Sequence, residues 1–217
     1  MNHSERETRD MVSTVRKTVL PIFATPISNY RFPDVDAPNE TLRAFILQRE
    51  QSDAGISRSN VGGWHSSTDF FEWDSGCVRE LGDRLRAYLQ ALCRTVARNP
   101  DDPASNMFRL EGWANVLRHG QYNSLHSHPN AFWSGVYYVN GNPKPEDEHP
   151  FSGKLELIDP RPGASLNYSD HTNLYGRFLV NPVPGQMVVF PGWLQHQVHP
   201  YFGPGERITI AFNVIMI

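Results

Sequence analysis

Cysteine is scarce in this chain. Cys77 and Cys93 are the only two among 217 residues, too few for a disulfide scaffold. A reducing, cytoplasmic setting is therefore the expectation. Long apolar runs are missing as well. No segment approaches the roughly 18 apolar residues of a membrane span, so no membrane association is expected. The N-terminus, MNHSERETRDMVSTVRK, mixes both signs of charge where a secretory signal would carry an apolar block. The sequon Asn167-Tyr168-Ser169 then reads as coincidence. Charge of one sign is not in excess either. The formal net charge is −3 and no long basic run occurs. That argues against a nucleic-acid partner, whose affinity would rest on neutralised phosphates.

Turn residues, by contrast, are plentiful. Seventeen prolines and sixteen glycines in a chain that is 39% hydrophobic point to a globular fold of short strands. With no repeat and no evident linker, one domain over residues 1–217 is expected, with 1–16 as a loosely docked arm. The proline-broken stretch TVLPIFATPISNYRF (18–32) reads as an edge strand or extended segment. NETLRAFILQRE (39–50) reads as a helix with Asn39 as its cap and Leu42, Phe45 and Ile46 on one face. GISRSNVGGWHSSTDFFEW reads as loop. A longer helix fits CVRELGDRLRAYLQALCRTVARNP, where Val78, Leu81, Leu85, Leu89, Leu92 and Val96 recur every three to four residues and Asn99-Pro100 stops it. Residues 17–104 thus form helical and extended support.

From residue 105 onward the texture changes to strands. FRLEGWANVLRHG, AFWSGVYYVNG, GKLELIDP, GRFLVNPVPGQMVVFPG and RITIAFNVIMI are apolar or alternating and are separated by Gly, Pro, Asn and Asp. The expectation is a mainly β, α+β fold: an antiparallel sandwich or barrel with helices packed on one side.

Two features carry chemistry. In SLHSHPN, His126 and His128 are two residues apart, so in extended backbone their imidazoles share a face and can converge on one ion. Downstream, PVPGQMVVFPGWLQHQVHP…ERITIAFN runs from a turn through an apolar strand to His196, then to Arg207 in a core-like strand, with Thr209 two residues on. A buried arginine is costly without an anionic partner.

These stretches, with GKLELIDPR, resemble the double-stranded β-helix (jelly-roll) oxygenases that use iron(II) and 2-oxoglutarate, within a bacterial and phage group of that superfamily. The resemblance covers about residues 105–217 and implies Fe(II), 2-oxoglutarate as cosubstrate, and oxidation of a substrate by O2 with release of succinate and CO2. It places His126, His128 and His196 at the metal, and Arg207, helped by Thr209, on the distal carboxylate of 2-oxoglutarate. The usual pattern has an acid at the position of His128, and three ways of completing the centre are open. His128 ligates directly; Asp159 comes from another strand; or water fills the gap. With three neutral histidines the ferrous site is +2 and the doubly charged 2-oxoglutarate neutralises it, which favours His128. Asp159 in IDPR has its own explanation as a strand-end partner of Arg161. Histidine must be neutral to ligate, so iron affinity is expected to fall below about pH 6.5.

Tyr122, Tyr138 and Asn115 are further candidates for hydrogen bonds to the cosubstrate. Trp113, Trp133 and Trp193 are candidates for a substrate pocket. His65 and His171 read as surface loop sooner than as a substrate mouth; His3, His119, His149 and His199 read as arm, turn or off-site residues. Two other functions compete: a cupin-like metal dioxygenase or isomerase that does not use 2-oxoglutarate, and a non-catalytic barrel that binds a partner. A zinc hydrolase is disfavoured because no HExxH base accompanies the histidines. A homodimer is the default oligomer; a small-molecule or peptidyl substrate is left open.

Overall fold

A computed structural model describes residues 23–141, 148–164 and 176–217. The 1–16 arm, His3, His171 and the sequon lie outside the described residues. The elements in chain order are β1 (Ser28–Arg31), α1 (Asp36–Ser52), β2 (Asn60–Val61), β3 (Trp64–His65), α2 (Gly76–Val96), β4 (Phe108–Leu117), β5 (Tyr122–His126), β6 (Trp133–Tyr138), β7 (Leu155–Ile158), β8 (Arg177–Val180), β9 (Gln186–Pro191), β10 (His196–Val198) and β11 (Arg207–Met216). Short 3₁₀ turns lie at Phe70–Glu72 and Pro103–Asn106. The architecture is mainly β with two helices, and the strands form two antiparallel sheets. The larger has the order β1-β9-β6-β11-β4-β3, the smaller β2-β5-β10-β7-β8. No helix among the described residues is long and apolar enough to cross a membrane.

Period-two alternation sets which side of the large sheet each residue serves. Along β11, Ile208, Ile210, Phe212 and Val214 are fully buried against the helices. Their alternates Arg207, Thr209 and Ala211 line a cavity on the other side. On α2, Val78, Leu81, Leu85, Leu89 and Cys93 form the buried stripe. With Leu42 and Ile46 of α1, these side chains share one apolar cluster with the outward residues of β4, β6, β9 and β11. A second cluster joins Tyr138, Val188 and Phe190 of the large sheet to Leu155, Leu157 and Val180 of the small one. The two sheets therefore face each other, and both helices cover one of them.

Several expectations need correction. Asn39 does not cap α1. The helix begins at Asp36 after Val35, and Asn39 is buried in its first turn, where Oδ1 accepts a 2.8 Å bond from the Tyr137 hydroxyl. The α2 stripe ends at Cys93, while Val96 is 42% exposed in the last turn. A stripe built on steps of three and four drifts around a 3.6-residue helix, and here the i+4 step from Leu89 wins. Strands also begin well before residue 105. β1 is the expected edge strand, paired with β9. The segment read as loop supplies β2 to the small sheet and β3 to the large one.

Candidate metal centre

His126 ends β5 and His196 begins β10, and the two residues are direct cross-strand partners. The corner from Pro191 to Leu194 feeds β10. Leu194 N–H donates to the Pro191 carbonyl at 2.9 Å, and the Leu194 carbonyl accepts from His196 Nδ1 at 2.9 Å. His126 Nδ1 in turn donates to the Ser124 carbonyl at 2.7 Å. Both rings are thereby fixed as the tautomer whose Nε2 carries the free lone pair, the form a metal requires. His128 lies just past β5. Its N–H donates to the Gly192 carbonyl at 2.7 Å, tying it to the same corner. Gly192 has no room for a side chain: a Cβ there would overlap the Ala131 carbonyl oxygen and lie 2.7 Å from that of His128.

The three imidazoles converge. One ligand nitrogen from each lies within 4.8 Å of the others, and this is the one such group among the described residues. Ring centroids are 4.2 Å apart for His126 and His196 and 5.0 Å for His126 and His128. Burial lowers all three proton affinities. His128 falls to about 4 and His196 to about 3, each lowered further by its imidazole neighbours, and His126 is lowered by desolvation against its bond to Ser124. The ordinary value of 6.5 expected from the sequence therefore does not apply. The fold holds three neutral ligands ready.

These histidines stand at the junction of two compartments. The inner one lies between the sheets and is lined from the large sheet by Asn115, Ser134, Arg207 and Thr209, and from the small sheet by Asn123 and His196. Arg207 is 1% exposed. Its Nε donates to the Gly153 carbonyl at 3.0 Å, and its guanidinium carbon sits 5.3 Å from the Tyr138 ring centroid. Two glycines flank its stem. Gly141 (φ +90°) and Gly153 (φ +64°) would place a Cβ 2.8 Å and 3.2 Å from Arg207 carbons. Arg207 Nη2, the Tyr138 hydroxyl and Asn115 Oδ1 are buried and find no hydrogen-bond partner on the protein. Burial pulls the guanidinium's affinity for its proton down and pushes the Tyr138 phenol up. From so high a starting point the guanidinium stays a cation. The guanidinium Nη2 and the Tyr138 hydroxyl are donors without an acceptor, and what they lack is an anion; Asn115 Oδ1 is an acceptor and lacks a donor.

The outer compartment, about 590 Å³, opens to solvent and shares Ser59, Trp113, His126 and His128 with the inner one. Trp113 forms the dividing wall, 5.5 Å from both His65 and His128.

Other sequence candidates lie elsewhere. Asp159 is not in the histidine cluster; its carboxylate accepts from Arg161 Nε at 2.9 Å. Trp133 has the helix-facing phase of β6 and is buried in the apolar cluster there, away from the cavity. Trp193 is 49% exposed on the corner. Tyr122 lines neither compartment, whereas its neighbour Asn123 does, because the β5–β10 register shifts by one between His196 and Val198. His65 is 4% exposed, not surface loop: it pairs with Asn115 across β3–β4 and lines the outer compartment. His199 points to Glu156 instead, 2.8 Å from its carboxylate. Ser59, Asn123 and Ser134 were not singled out from sequence. Only the alternation of Ser134 with Trp133 offered a hint.

Residues 111–213 match the model of the family "Putative 2OG-Fe(II) oxygenase". No curated protein matches the chain. Among solved structures the chain is similar to a Pseudomonas putida prolyl-4-hydroxylase, with 16% identity over 91% of this chain and 96% of that one and a TM-score of 0.59. It is also similar to a viral collagen prolyl hydroxylase of Paramecium bursaria Chlorella virus-1 in complex with 2-oxoglutarate (13% identity, 87% and 94% covered, TM-score 0.55). A third is HygX of Streptomyces hygroscopicus with nickel and 2-oxoglutarate bound (14% identity, 88% and 82% covered, TM-score 0.55). At these identities the likeness concerns the fold.

Proposed function

We propose, from the match of residues 111–213 to the 2OG-Fe(II) oxygenase model, that the chain is a 2-oxoglutarate/Fe(II) oxygenase in which His126, His128 and His196 hold Fe(II) while Arg207 anchors 2-oxoglutarate in the inner compartment. The observation that carries this reading is the pairing of three convergent neutral imidazoles with a buried guanidinium whose Nη2 finds no acceptor on the protein, in one cavity. The two facing antiparallel sheets with the cavity between them support a double-stranded β-helix, or jelly roll.

The donor set fits the group. Imidazole is a suitable ligand for ferrous iron, and three protein ligands leave positions open. When bound, the iron supplies the oxidation of a substrate by O2 coupled to decarboxylation of 2-oxoglutarate to succinate. The chain's own part is positioning. Arg207 offers a planar fork to a carboxylate. The Thr209 hydroxyl stands on the same lining, and Leu155, Phe190 and Val198 keep the inner compartment apolar on its remaining walls; the buried Tyr138 ring lies against the guanidinium, outside that lining. The net charge supports three histidines: +2 at the centre and −2 on the diacid cancel in a low-dielectric space.

The test is anaerobic titration of the protein with Fe(II) and 2-oxoglutarate, read by the visible charge-transfer absorbance of the metal–keto-acid complex, followed by succinate release in air. Absorbance that needs both components and is lost in His196→Ala is expected. Metal binding with no spectral response to 2-oxoglutarate would favour the cupin-like alternative, and no metal binding a non-catalytic barrel.

A further inference from the structure

We infer that the outer compartment receives a small, polar substrate bearing an anionic group, a carboxylate or phosphate, with Arg58 as its counter-charge. The inference deepens the oxygenase reading and rests on it, because the shared wall of Trp113, His126 and His128 puts the outer compartment on the open side of the proposed metal.

Charge is the first argument. The chain carries 23 acidic residues and a net charge of −3, yet among the described residues no aspartate or glutamate lines either compartment. Among the described residues the only formal charges on the two linings are Arg207 inside and Arg58 outside. Once three neutral histidines, Fe(II) and 2-oxoglutarate have summed to zero, Arg207 and Arg58 leave the space positive. A focusing cavity of one sign raises the local concentration of the opposite ion. None of the described carboxylates pairs with Arg58.

Surface chemistry is the second. Ser57, Ser59, Thr68, Ser124 and Ser127 bring five hydroxyls to the outer lining. Ser59 Oγ, which accepts from Asn123 Nδ2 at 3.3 Å, lies 3.4 Å from His126 Nε2 and so next to where a ligand of the ion would sit. A lining this rich in hydroxyls matches a substrate with its own donors and acceptors and leaves an apolar one undersatisfied. The Trp113 ring does not serve as an open stacking platform, since His65 lies parallel on it at 5.5 Å and 10°. A volume of about 590 Å³ suits a metabolite-sized ligand or a single residue of a longer chain.

The test uses the full chain loaded with Mn(II) and saturated with 2-oxoglutarate, so that Arg207 is already occupied. Paramagnetic relaxation of glycolate and of glycerol phosphate is compared with that of glycerol by NMR. Either anion should bind about tenfold more tightly than glycerol, the worth of one charge-assisted hydrogen bond. Arg58→Gln should bring the anions down to the glycerol level, with Arg58→Lys between. A response to one anion alone assigns the carboxylate or the phosphate. Anions that relax no more than glycerol, or that are indifferent to Arg58→Gln, overturn the inference. Binding of 2-oxoglutarate to the Mn(II) protein is measured first. Its absence sinks the oxygenase reading and this inference with it, whereas 2-oxoglutarate binding without an anion preference sinks this inference alone.

Discussion

Replacing Arg207 with methionine separates a residue kept for binding from one kept for stability. In the ligand-free protein the guanidinium is 1% exposed, faces no carboxylate among the described residues and leaves Nη2 unpaired. A buried charge in that state costs several kcal/mol. Against this stand the bond to the Gly153 carbonyl, about 1 kcal/mol, and the contact with the Tyr138 ring, about 2 kcal/mol when desolvated. Arg207→Met, similar in length and free of charge, should therefore leave the ligand-free fold as stable as the parent or more so. Its effect on 2-oxoglutarate is opposite in sign. Losing the charge partner of a buried carboxylate costs about 3–5 kcal/mol, or at least 10²-fold in Kd. At a concentration 100 times the parent's Kd, 2-oxoglutarate stabilises the metal-loaded parent by about 2.7 kcal/mol. For a chain of this size that is a rise of about 5–10 °C in Tm. Thermal melts of both proteins, with Mn(II) and with or without 2-oxoglutarate, should show that rise only in the parent. A variant that keeps the rise, or whose ligand-free form loses more than about 3 kcal/mol, would show that Arg207 is there to hold the fold together.

Because the folded protein holds His128 near 4 and His196 near 3, protons take up those nitrogens in the unfolded chain first, near 6.5. Ligand-free stability should thus fall as pH drops below 6.5, by up to about 1.4 kcal/mol per pH unit for each such histidine. Mn(II) affinity of the folded protein should begin to fall only at a pH below that of a free imidazole, because all three ligand pKa values are lowered, and chemical denaturation and metal titration across pH 7 to 4 check both. Gly192→Ala should push the corner away from Ala131 and His128 and weaken metal binding about tenfold or more, read by Mn(II) titration with circular dichroism to show that the fold persists. Leu85→Ala, at a fully buried α2 position, should cost about 2–5 kcal/mol. Val96→Ala on the exposed last turn should stay within about 0.5 kcal/mol, both by urea denaturation.

Much of the fold was legible because its strands obey period two. Arg207 and Thr209 stand out as polar alternates in RITIAFNVIMI, and the structure puts both on the cavity wall. His126 and His128 were legible from spacing, and His196 from the pattern that follows an apolar strand and a corner. What sequence could not settle was which face of a strand meets helices and which meets the cavity. Trp113 and Trp133 are equally plausible on paper, and only the packing of α2 decides between them. Tyr122 lost its place to Asn123 because a one-residue shift in the β5–β10 ladder rephases the strand, and a bulge leaves little local trace. Ser59 just ahead of β2 and His65 within β3 are placed by two-residue strands paired with partners some 50 to 65 positions away. Their neighbourhood is rich in glycine and serine, so nothing local marks them as strand.

The direct pairing of His126 with His196 means that the candidate ligands belong to adjacent strands of the smaller sheet, which no helix of the larger sheet's cluster covers. An ion held by both would act as a staple across β5 and β10. Amide hydrogens of those two strands should then exchange with deuterium more slowly once metal is added, while those of α2 change little, so that occupancy of the centre and rigidity of the thinner half of the protein rise and fall as one quantity.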